Sequence, residues 1–221
     1  MKPEIVNSKM TPRFKSYRMS LMALLVMALL GCTQSLVLKT TTDVPVPLAT
    51  KLPFEVSVYY PEGFRNYVYE ENTDERPNWA IQCGESQVAL FDQILPSVFS
   101  RVVQVDGVSP LNGRNVDAIL VPEVVEMQFA LPHETRTGMY EAWVKYIVHV
   151  YDSEGQPVAE WPVSGYGKTE TATFTGRDEG LNIAINSAFR DVGAKLTLGF
   201  AKLEPFKQRL AGKQYESSER R

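Results

Sequence analysis

Apolar and polar positions change period along the chain, and each change marks an element. Residues 21–30 are an unbroken apolar run, preceded by Lys2, Lys9, Arg13, Lys15 and Arg18 against the single acid Glu4. Phe54, Val56, Val58 and Tyr60 alternate with Glu55, Ser57 and Tyr59, the period of a half-buried strand. Short strands are predicted at 67–69 and 79–82, on either side of the charged loop 70–77. Over 85–103, Val88, Phe91, Leu95, Val98 and Val102 form a helical stripe, with Ser86 as N-cap. Pro96 lies inside it and removes the bond to the Asp92 carbonyl, so the helix kinks or splits there. Residues 102–105 are expected to be extended, and Asp106-Gly107 turns the chain.

Residues 116–129 read as a strand whose segment 118–121 is apolar on both faces, as when a sheet is covered on both sides. Pro122 argues for a bulge or an edge, and beyond it Val125, Met127 and Phe129 alternate with Val124, Glu126 and Gln128. Residues 131–138 are a turn. The strictest alternation follows. Tyr140, Ala142, Val144, Tyr146, Val148 and Val150 make a core face. Glu141, Trp143, Lys145, Ile147, His149 and Tyr151 make a mixed face for solvent or a partner. Gly155 supplies the turn at 152–157, and 158–168 returns antiparallel with a bend at Gly165 and Gly167. After the polar loop 170–180, Asp178 is a candidate N-cap. Leu181, Ala184, Ile185, Ala188, Phe189, Val192 and Leu196 then repeat at three and four to about residue 203, where Pro205 stops or restarts the helix. The pattern predicts an α+β fold: a two-layer sandwich with an antiparallel sheet of about four or five strands and two helices packed on one face.

The run at 21–30 is about half the roughly 20 residues that a membrane-spanning helix needs. A basic segment followed by a short apolar run is the layout of a secretory signal. The run ends in Leu29-Leu30-Gly31-Cys32, which resembles the lipobox of bacterial lipoprotein precursors. The resemblance implies cleavage before Cys32, a diacylglyceryl thioether on its sulfur and acylation of the new amino terminus. Two or more acyl chains hold a protein stably at a bilayer. The absence of Asp after Cys32, where Thr33 and Gln34 stand, resembles the outer-membrane sorting class. The domain plan is then a signal at 1–31, an anchor and extended tether at 32–53, one α+β domain at 54–210 and a disordered charged tail at 211–221. The tether, rich in Thr and Pro, spans roughly 60 Å when extended, although 35–39 has the alternative of pairing as an edge strand.

The chain carries 23 basic and 26 acidic residues, and removing 1–31 leaves 18 against 25, a net charge of −7. That balance argues against a nucleic-acid partner. With Cys32 lipidated, Cys83 has no intramolecular partner, and its apolar neighbours Trp79 and Ile81 predict burial.

The inventory for chemistry is short. His133 and His149 have no ligands at metal-site spacing, so no metal or cofactor is expected. Ser164-Gly165-Tyr166-Gly167 lacks the glycine of a nucleophile elbow. Gly167-Lys168-Thr169 lacks the first glycine of a phosphate loop, because position 162 is Pro. Glu123 and Glu126, three apart on a strand, are expected on opposite faces. Trp143, Tyr151 and Tyr166 are a candidate contact patch. No catalytic residue is assigned; Cys32 is the one site residue, as the lipidation site.

In element order, residues 54–205 are similar to small accessory lipoproteins of the outer membrane, such as the lipopolysaccharide-assembly lipoprotein and the auxiliary lipoproteins of ABC-type transport systems. That resemblance implies a non-enzymatic assembly component with a protein partner in an envelope complex and a membrane contact through Cys32. The alternatives are a lipid or small-molecule carrier with a pocket between helices and sheet, and a hydrolase built on His133 or His149.

Overall fold

The alternation at 139–170 folds into a long hairpin. β7 (Met139–Tyr151) and β8 (Pro157–Glu170) pair antiparallel around Gly155, whose φ of 82° is the left-handed turn conformation. The computed structural model describes residues 36–219 apart from 41, 43, 74–77, 109–115 and 171–176. The expected signal at 1–31 and Cys32 lie outside the described residues.

In chain order the remaining elements are β1 (Leu36–Lys39), β2 (Leu52–Val58), the short α1 (Glu62–Arg65), β3 (Val68–Glu71) and β4 (Trp79–Gln82). α2 (Gly84–Val98), β5 (Phe99–Gln104) and β6 (Ala118–Ala130) follow. After the hairpin come α3 (Arg177–Gly199), a 3₁₀ turn (Phe200–Lys202) and α4 (Glu204–Glu219). The fold is mixed α+β, with a five-stranded sheet in the order β5-β2-β6-β7-β8 and a three-stranded sheet in the order β1-β4-β3.

The large sheet is not antiparallel throughout, as the sequence suggested. β2 runs parallel to both β5 and β6. Parallel neighbours need a long crossover, and the segment from α1 through α2 supplies it: α2 ends at Val98 and β5 starts at Phe99, beside Leu52 of β2.

The expected tether is largely folded. β1 pairs parallel with β4, and Thr40 and Val44 are buried behind it. The Ser86 hydroxyl donates to the Thr40 carbonyl at 2.6 Å, and the Gln93 amide donates to the Val44 carbonyl, which straps 40–44 along α2. Ser86 is therefore spent on this strap and is not the N-cap; α2 begins at Gly84, where a Cβ would stand 2.0 Å from the Arg65 carbonyl oxygen. The helix stops two residues after Pro96. Asp178 lies one position inside α3 rather than before it. At the C-terminus, Pro205 restarts a helix that continues to Glu219, where a structureless tail was expected.

The core sits where the two periods predict. Tyr140, Ala142, Val144, Tyr146, Val148 and Val150 are all buried, as are the seven apolar stripe positions of α3. Both sides of 118–121 are covered: Leu120 joins the main core, and Ile119 and Val121 form a second cluster with Val116. Phe54, Phe99, Phe200 and Phe206 close the core at the start of α4, with Phe99 and Phe200 centroids 4.9 Å apart. No helix among the described residues is long and apolar enough to cross a membrane.

Candidate functional site

The face of β6, β7 and β8 turned away from the core gathers most of the polar residues the sequence singled out. Glu123, Glu126 and Gln128 stand opposite Ile147, Lys145 and Trp143. Opposed residues share a face, so Glu123 and Glu126 project to the same side. Three-residue spacing predicts the reverse. The register shift between Val124 and Glu126 explains the difference: a bulge turns Val125 outward, 45% exposed, and resets the alternation.

His149 lies on this face between two acids. Its Nε2 is 2.8 Å from Glu123 and its Nδ1 is 3.3 Å from Glu160. The Glu123 contact is a hydrogen bond and the Glu160 contact a looser approach; the two carboxylates are 60% and 68% exposed, so each pair contributes at most about 1 kcal/mol. His133 sits in the β6–β7 turn, 3.7 Å from Glu134. The two histidines thus lie toward opposite ends of β7 and share no site. Among the described residues, no group of three His, Cys, Asp or Glu side chains could hold a metal ion.

Trp143 and Tyr166 are direct cross-strand partners with centroids 5.2 Å apart and planes 38° apart. Both are exposed, beside a shallow cavity of about 240 Å³ rimmed by Glu126, Gln128, Lys145 and Lys195. Tyr151 does not join them; it packs on the cluster of Ile119 and Val121.

Gly165 and Gly167 let α3 settle directly on β8. A Cβ at either would stand 2.2 Å or 2.1 Å from the carbonyl oxygen of Ala188 or Ala184. α3 then covers the open edge of the sheet. The Tyr166 N–H donates to Asp191 at 3.0 Å, and the Lys195 ammonium donates to the Ser164 carbonyl at 2.7 Å and to Asp191 at 2.8 Å. Sequence reasoning missed Asp191 and Lys195. Their signal is an acid and a base four apart on a helix following an edge strand.

Cys83 is 1% exposed, with its sulfur 3.5 Å from the Met127 sulfur. Burial pushes its thiol up to about 12, so it is not a nucleophile at neutral pH. Beside it, the Gln87 amide donates to the Phe64 carbonyl at 2.6 Å and accepts from the Tyr146 hydroxyl at 3.2 Å.

No family model matches the sequence, and no curated protein matches it. Solved structures do resemble the fold. One is a Xanthomonas campestris protein described under the family DUF330, with 13% identity and a TM-score of 0.51, covering 80% of this chain and 99% of that one. Another is a minor lipoprotein of Acinetobacter baumannii, with 12% identity and a TM-score of 0.37, covering 67% of this chain and 90% of that one. The chain shares its fold with the first; the second likeness is too low to bear on it.

Proposed function

We propose that this chain is a lipid-anchored cell-envelope protein, tied through Cys32 to the outer membrane and acting without catalysis as an accessory component of a larger envelope assembly. The observation that carries this reading is Leu29-Leu30-Gly31-Cys32 at the end of a signal-like segment. The mixed outer face around Trp143 and Tyr166 supplies a surface for a protein partner. The hydrolase alternative is disfavoured by the surroundings of the histidines: both ring nitrogens of His149 face carboxylates, and His133 pairs with Glu134. The carrier alternative needs room between α3 and β8, where the glycines bring backbone against backbone.

Radioactive palmitate labelling with membrane fractionation tests the anchor, wild type against Cys32→Ala. Loss of label together with release to the soluble fraction supports it; unchanged label or unchanged sedimentation contradicts it. Crosslinking in intact envelopes followed by purification tests the assembly role, and a protein recovered without any stoichiometric partner contradicts that part.

A further inference from the structure

The proposed anchor leaves little slack. β1 begins at Leu36 and is in register with Trp79, so only Thr33, Gln34 and Ser35 separate Cys32 from a hydrogen-bonded strand. Four extended steps reach about 14 Å. Resting on the anchor reading above, we propose that the acyl chains on Cys32 hold one defined end of the domain against the bilayer: the end with the start of β1, the β6–β7 turn and the first turn of α3.

A chain of contacts brings these pieces together. Trp79, beside the start of β1, packs on Phe129 with centroids 5.1 Å apart. Phe129 is the penultimate residue of β6, so the turn at 131–138 follows directly. Glu71, the last residue of β3, is the register partner of Trp79. Gly180 abuts the ring of Tyr140, where a Cβ would stand 2.4 Å away, which seats the first turn of α3 beside the start of β7. The β7–β8 turn lies at the far end of the 13-residue β7, roughly 40 Å away.

Charge does not draw this end to the membrane. Glu71, Glu134, Glu170, Asp178 and Glu179 outnumber Arg136, Lys168 and Arg177 there, and anionic headgroups attract basic segments rather than acidic ones. The short covalent leash alone sets the orientation. The lipid surface is therefore the occupant of this end, and the β7–β8 turn points away from it.

The test uses the full acylated protein in phosphatidylethanolamine and phosphatidylglycerol vesicles carrying a headgroup-linked energy-transfer acceptor. A donor dye is placed on Arg136→Cys at the near end or on Glu154→Cys at the far end; buried Cys83 stays unlabelled. Transfer from position 136 is expected to be several-fold stronger, and added salt does not change it. Inserting a flexible Gly/Ser segment of about 20 residues after Ser35 collapses the difference. Equal or stronger transfer from position 154, in protein whose acylated Cys32 is verified by mass, overturns the orientation and leaves the anchor standing. A chain with no acyl group on Cys32 overturns both.

Discussion

Leu36 and Trp79 are partners in a parallel ladder, and that pairing ties the beginning of the described chain to the interior of the fold. Trp79 is 2% exposed and stacks edgewise on Phe129 of the large sheet. The small sheet is therefore joined to the large one through aromatic contacts, and β1, which begins at Leu36, is part of that joint.

The α3–β8 contact makes the sharpest stability prediction. Gly165→Ala and Gly167→Ala force a methyl group into helix backbone, and each is expected to lose about 1–3 kcal/mol. Gly63, where a Cβ would meet nothing within 4 Å, serves as the control. Urea unfolding midpoints at constant m-value check this; losses no larger than that of Gly63→Ala contradict the backbone contact.

Gln87 joins α2 to Tyr146 and to the Phe64 carbonyl inside the core. Gln87→Leu leaves the Tyr146 hydroxyl buried and unpaired and leaves the Phe64 carbonyl only its longer bond from the Tyr67 N–H, with an expected loss of about 1–3 kcal/mol. Adding Tyr146→Phe removes one orphaned hydroxyl, so the double variant should be less destabilised than the two single losses combined. A strictly additive double-mutant cycle would argue against the hydrogen bond.

Alkaline pH should weaken the fold. The Cys83 thiol is raised from 9.0 to about 12 by burial, and the Tyr60 and Tyr146 hydroxyls are raised by burial as well. The folded state then keeps protons that the unfolded chain gives up, so stability is complete below pH 9 and falls as pH rises toward 12. Denaturant midpoints measured across that window should decline, less steeply in Cys83→Ala. Iodoacetamide at neutral pH should leave Cys83 unmodified until the protein is unfolded; rapid native-state alkylation would contradict its burial.

Asp191 and Lys195 answer the open edge of β8. Asp191→Ala with Lys195→Met frees a strand N–H and a carbonyl for another chain. The expected outcome is a modest stability loss of about 1 kcal/mol with concentration-dependent association in light scattering. A variant that remains as monodisperse as wild type would show that the edge needs no such cover.

The elements were legible in the sequence where one period ran long. Six alternating positions of β7 and seven stripe positions of α3 point inward as their spacing requires. Failures came where structure interrupts a period. Pro122 signals a bulge or an edge in β6, but the register shift falls at Val124/Glu126, and nothing at Val125 marks the place, because Val fits either face. The parallel neighbours of β2 were hidden because β3 and β4 intervene before α2 completes the crossover. In sequence β1 resembles tether, because four residues beside a Thr- and Pro-rich stretch carry too little pattern to separate strand from linker. On the outer face, the pairing of Trp143 with Tyr166 depends on hairpin register, which the turn fixes and side-chain type alone does not.

Location, orientation and the assembly role all rest on a lipid-modified sulfur at position 32. Intact mass analysis of the amino-terminal peptide, taken from protein purified out of native membranes, puts that modification to the test. The expected result is a chain that starts at Cys32 and carries a diacylglyceryl group plus an amide-linked acyl chain. A peptide that starts upstream of Cys32, or that starts there without added mass, would contradict it.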